Sequence, residues 1–340
     1  MHSLQHSLVG ENRIDLQHRI DSACQSSEGY KSFIASLLVH SAALEHTGEP
    51  ETHPIIPINA LKNILSENPS KPSRDILRAM VQILSGKPLR KQKYQALLHD
   101  LKAGGISGSI FFMDLEDALQ IGDRDQTLNE AARLYSVSDN PVGVLECVAE
   151  LALQDIQQLG QFIFHLMRAA AFSPTHDNTW QFTCCAIEEV TKNKLPDPHV
   201  SDPIIMDPMV LYILRESNPK LLTDFAAVKR LWDKEYLRSR AFKREISYWL
   251  STLKINETVT SQYNAKSDAV SGLNEDLIEL GEIQFINLTE NILTQLSGSF
   301  PSKLKEKVLL MDALRYFAKS NPNPNQAALI GDRIQEIINK

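Results

Sequence analysis

The residue types best suited to chemistry lie between His165 and Cys185. A helix from Thr175 to Asn193 puts His176, Trp180 and Cys184 at i, i+4 and i+8 on one face, and His165 falls on the helix before it. Two imidazoles and a thiolate suit zinc with a fourth position open, so His165, His176 and Cys184 are the candidate metal ligands. Trp180 is the candidate pocket residue beside them. The simpler expectation is that Trp180 and Cys184 line the core and that the histidines are satisfied by backbone carbonyls. The vicinal pair Cys184 and Cys185 would sense redox conditions only if accessible, because buried thiols are inert.

Other signatures of catalysis fail on inspection. No HExxH or CxxC spacing occurs, no histidine follows a glutamate by three positions, and Asp114, Glu116 and Asp117 are the nearest approach to a metal-holding acidic run. Those three acids are better read as complementing a helix N-terminus. The cluster Gly104, Gly105 and Gly108 lacks the lysine and hydroxyl of a phosphate loop and the second glycine of a nucleophile elbow. It predicts a helix C-cap and a hinge before a helix at Phe111.

Charge supplies the second set of candidates. From Lys229 to Arg244 seven basic residues stand against two acidic ones, interleaved with Trp232, Tyr236 and Phe242. On a helix, Phe225, Val228 and Trp232 share one face while Arg230, Lys234 and Arg238 line the other, the pattern of a basic interaction surface or of an ordinary solvated face. From Asp268 to Glu290 there are six acids and no base, with Glu275, Glu279 and Glu282 at helical spacing. Stacked like charges need compensation, which the basic helix or a docking partner would supply. A third asymmetry sets nine basic and three acidic residues over Lys62–Lys102 against two basic and ten acidic ones over Asp114–Asp155, so these segments should attract each other or other chains.

The elements that must position these residues are helical throughout. Tyr30, Phe33, Ile34, Leu37, Leu38 and Leu44 form one apolar stripe, Ile76, Met80, Ile83 and Leu84 another, and Val144, Val148 and Leu151 a third, while strand-like alternation is scarce. Pro57, Pro88, Pro141, Pro219 and Pro301 mark helix starts, with Asp123, Asp139, Asn218 and Asn321 as caps. The fold class is therefore all-α, an irregular multi-helix bundle or stacked antiparallel helix pairs, in two lobes. Repeat patterns of the solenoid families cannot be placed. The expected organisation is an N-terminal helical region over 1–103, a central one over 104–195 packed with it, and an Asp-Pro-rich extended connector over 196–208. A C-terminal region over 209–340 follows, with a mobile polar loop near 256–272.

Composition bounds the function. Apolar residues at 43% and charged residues at 23% are globular values, and a chain of 340 residues buries a large core. Four scattered cysteines predict reduced thiols, and no run of 18 apolar residues predicts a membrane span. Met1–Gly10 carries His2, Gln5 and His6 where a secretory signal needs an apolar run, so the expected compartment is the cytoplasm. A net charge of −7 disfavours a protein that coats nucleic acid. With motifs absent and charge segregated, the expected function is a non-enzymatic scaffold or adaptor binding another protein, of no foreseeable identity. One rival is an enzyme or ligand-binding protein with a metal or small-molecule site between helices. A second is a regulator touching nucleic acid through the basic helix. No cofactor is indicated.

Overall fold

The computed structural model describes residues 4–91, 94–105, 108–139, 141–216, 218–253, 283–294 and 302–339. The polar stretch 256–272 and Glu275, Glu279 and Glu282 lie outside the described residues. The N-terminal third holds α1 (Leu4–Val9), α2 (Arg13–Ala23), α3 (Ser27–Ala43), α4 (Ile55–Leu65), α5 (Arg74–Leu84) and α6 (Tyr94–Gly104). Then come α7 (Phe112–Ile121), α8 (Arg124–Val137), α9 (Val142–Ala152), α10 (Ile156–Phe172) and α11 (His176–Val190). After the connector follow α12 (Asp207–Arg215), α13 (Pro219–Trp232), α14 (Ser239–Thr252), α15 (Ile283–Leu293), α16 (Ser302–Lys319) and α17 (Pro324–Asn339). The protein is all-α, and the described residues contain no strand beyond an isolated bridge between Leu44 and Leu89.

Local chemistry starts and stops these helices. Asp123 and Asn218 accept hydrogen bonds from the Gln126 and Leu221 amides and cap α8 and α13 as their positions predict. Asp139 and Asn321 do not cap: Pro141 precedes α9, and Asn323 takes the Gln326 amide ahead of α17. Pro57 sits in the first turn of α4, where its missing N–H costs nothing. The glycine cluster behaves as a stop, with α6 ending at Gly104 and Gly105 at φ +74, a conformation that disfavours any side chain.

Packing is built around α4, every residue of which is buried. A helix covered on all sides must be central, and α3, α5, α10 and α16 surround it. The predicted stripes on α3, α5 and α9 all face inward. Residues before and after the connector belong to one hydrophobic core, because α10 packs on α13 while α4 packs on α16. A polar layer crosses that core. Asp312 of α16 accepts from Arg230 Nη1 of α13 at 2.7 Å and from Asn63 of α4 at 3.1 Å, and Arg315 joins it at 3.3 Å. Arg315 continues to Glu67, which also holds Lys319.

Residues 196–205 form no helix, as the Asp197-Pro198 and Asp202-Pro203 steps require, and lie along α14. The connector ends earlier than the expected 208, because Asp207-Pro208 opens α12, where a first-turn proline is tolerated. Gln120 donates to the Pro196 carbonyl at 2.7 Å, His199 Nδ1 meets Glu245 at 2.7 Å, and Ser247 Oγ accepts the Ile204 amide at 3.1 Å. His199 also stacks on Tyr248 with centroids 3.6 Å apart.

Candidate functional site

The residues singled out between His165 and Cys185 do form helix faces, but they do not converge on an ion. His165 is buried on α10 with Nδ1 2.9 Å from the Asn59 amide nitrogen, and burial lowers its pKa to about 3. His176 stands half-exposed at the first position of α11, its ring edge against Tyr135. Cys184 is wholly buried, and desolvation pushes its thiol well above the ordinary range. Trp180 is core: it is fully buried, donates from Nε1 to the Tyr94 carbonyl at 3.0 Å and leans on Tyr135. Its indole therefore fills space between α6, α8 and α11 instead of lining a pocket.

Two of the three basic candidates turn inward. Arg230 is buried against Asp312, with its guanidinium over the Tyr316 and Phe164 rings, because the face of α13 that carries it packs on α16. This corrects the expectation that Arg230 projects into solvent. Arg238 binds Glu116 at 2.8 Å and also Glu150, both within the acidic Asp114–Asp155 segment. Lys234 remains on the exterior, over Tyr236. The basic run thus serves mainly to join the C-terminal helices to the rest of the molecule.

Sequence spacing missed a different cluster. Among the described residues, His46, His53 and Glu189 bring one donor atom each within 4.8 Å of one another. The two histidines come from the 45–54 loop and Glu189 from the last turn of α11, so some 140 residues separate the partners. The available signal was Cys185 and Glu189 at i, i+4, since Cys185 Sγ lies 3.6 Å from His53 Nε2. A separate cavity of about 560 Å³ opens between α1, α3 and α11. Ser32, Ser36, Asn178 and Gln181 are among its lining residues, and His40, with neither ring nitrogen hydrogen-bonded, closes one wall.

The exterior feature that stands out is apolar. Phe111, Phe112 and Met113 open α7 and are 59%, 37% and 67% exposed, while Leu237 in the α13–α14 turn is 68% exposed. The α13–α14 turn meets the start of α7. Arg238 lies over the Phe112 ring at 5.2 Å, and a Cβ at Gly143 would sit 3.6 Å from Leu237 Cδ1, which brings in the exposed Val142. The surface is held rigidly from beneath. Buried Glu146 accepts the Leu237 amide at 2.6 Å and the Arg238 amide at 3.3 Å, so the backbone is anchored while the leucine points outward. Exposed Asp117 and Asp139 flank the patch on its α7 and α9 sides along the chain, and exposed Lys234 and Arg240 flank Leu237.

No family model matches the chain, and no curated protein or solved structure is significantly similar to it.

Proposed function

We propose that this protein is an interaction module that docks a partner protein on the surface formed by Phe111, Phe112, Met113, Val142 and Leu237. The observation that carries the reading is large apolar side chains exposed where the starts of α7 and α9 meet the α13–α14 turn, whose backbone Glu146 fixes. A folded chain scatters single exposed apolar residues freely, but a contiguous group marks an interaction site. Because Arg238 is neutralised by Glu116 and Glu150, the local excess charge on α7 is negative. The partner that fits is a protein segment with apolar side chains flanked by lysine or arginine: burial supplies affinity and charge supplies orientation.

Selection from a displayed library of random short peptides tests this reading. Enriched sequences should pair aromatic or aliphatic residues with flanking basic ones and should fail to bind a Phe111→Ser/Met113→Ser/Leu237→Ser variant whose melting is unchanged. Enrichment of acidic sequences, or retention by the variant, would contradict it. Self-association through the same residues, seen by sedimentation, would replace the heterologous partner with a second copy of the chain.

A further inference from the structure

The 45–54 loop and the end of α11 form a cradle of electron-pair donors aimed at one point. Thr52 Oγ1 donates to the Glu49 carbonyl at 2.8 Å, so toward His46 Nε2, 3.0 Å away, it acts as acceptor. Nε2 of His46 therefore carries a proton, and Nδ1, 3.1 Å from the Lys192 ammonium, which can only donate, presents a lone pair. That lone pair lies 3.0 Å from Glu189 Oε2, a carboxylate oxygen of a side chain only 1% exposed. Two acceptors this close repel unless a cation lies between them. Here the cation is Lys192, whose ammonium reaches Glu189 Oε2 at 2.7 Å, the Gly48 carbonyl at 2.9 Å and His46 Nδ1 at 3.1 Å, using all three of its protons.

We propose that this cradle is a metal site at which a divalent transition-metal ion of the zinc class exchanges with the Lys192 ammonium. The donor set is imidazole nitrogen, carboxylate and carbonyl, which suits zinc and its neighbours and is poor for magnesium or calcium. His46 is oriented as metal-binding histidines are, its second nitrogen fixed by a hydrogen bond to Thr52. His53 supplies a third side, with a ring nitrogen within 4.8 Å of both other donor atoms. It ligates only by turning from the Ile55 amide, which its Nδ1 accepts at 3.1 Å, so His46 and Glu189 are the primary ligands. Lys192 can leave: it is a quarter exposed and hangs on a flexible four-carbon stem, so it withdraws to water with its proton while the ion enters. No covalent bond changes. The lysine is the built-in competitor that keeps Glu189 neutralised when no metal is bound.

The test compares zinc binding to the metal-stripped full chain by native mass spectrometry and calorimetry. Lys192→Met removes the competitor and keeps the stem. It should bind one zinc per chain at least about tenfold more tightly than the unaltered protein, and His46→Ala in that background should abolish the gain. Zinc should also raise the melting temperature of Lys192→Met more than that of the unaltered chain. Lys192→Gln serves the same comparison should the methionine variant fold poorly. Absence of stoichiometric zinc in both lysine variants would overturn the proposal. Equal affinity with and without Lys192, or binding that survives loss of His46, would overturn it too.

Discussion

At the scale of single residues, the structure turns apparent surface charge into buried electrostatics. Arg230 lies on the polar face of a predicted amphipathic helix, yet it holds Asp312 inside the core, and Arg230 and Arg315 keep that carboxyl down at about 2 against the upward push of burial. Arg230→Met should destabilise the fold by about 3 kcal/mol, at the low end for a broken buried pair because Arg315 remains on the same carboxylate. Lys234→Met should change stability by less than about 0.5 kcal/mol, as an exposed substitution does. Equal effects in urea unfolding would contradict this division. His40 gives a prediction with a sign. Burial alone lowers its pKa from 6.5 to about 4, so between those values the unfolded chain takes a proton that the folded chain refuses. Its contribution is full above pH 6.5 and is lost as pH falls to 4. Against His40→Leu, the unaltered protein should lose about 3 kcal/mol of relative stability across that window. Parallel stability curves for the two proteins would contradict the assignment. Asp224, raised to about 6, acts in the opposite sense in both proteins and cancels in the comparison.

At the scale of elements, helix faces were readable from spacing and their partners were not. The periodicity correctly placed Trp180 and Cys184 on one face of α11, but spacing cannot say which distant helix covers that face. Burial then made it core, with Trp180 reaching back to Tyr94 on α6. His46 and Glu189 were invisible for the same reason, since only tertiary packing brings the 45–54 loop to α11. The connector was partly legible: residues 196–205 form no helix, as the first two Asp-Pro steps require, but the third, Asp207-Pro208, opens α12, since proline is tolerated in a first helical turn. What spacing could not reveal is that it is fastened, His199 meeting the fully buried Glu245 of α14. His199→Ala should therefore speed limited proteolysis between 196 and 208 while leaving the helical circular dichroism intact. Unchanged cleavage would show that the connector is held by its other contacts instead.

At the scale of the whole molecule, the all-α class followed from apolar periodicity, and the single core that ties α4 and α10 to α13 and α16 did not. Long-range pairing decides such topology, and here it uses opposite charges from far-separated segments: Arg238 with Glu116 and Glu150, and Arg315 with Glu67. The acidic segment around α7 and α9 pairs with Arg238 and Arg244 and not, among the described residues, with Lys62–Lys102, the partner expected from the charge asymmetry. That arrangement spends charge on assembly and leaves apolar side chains at the junction facing water. Phe111 and Met113 were named in no motif because exposure, not residue type, makes them notable.

The most direct measurement is a calorimetric titration of one library-enriched peptide into the unaltered protein and into the Phe111→Ser/Met113→Ser/Leu237→Ser variant, at low and high salt. The predicted result is saturable binding to the unaltered protein that weakens at least about tenfold in the variant and declines with salt. Indistinguishable affinity for the two proteins, with both equally folded, would contradict the assignment of this surface as the docking site.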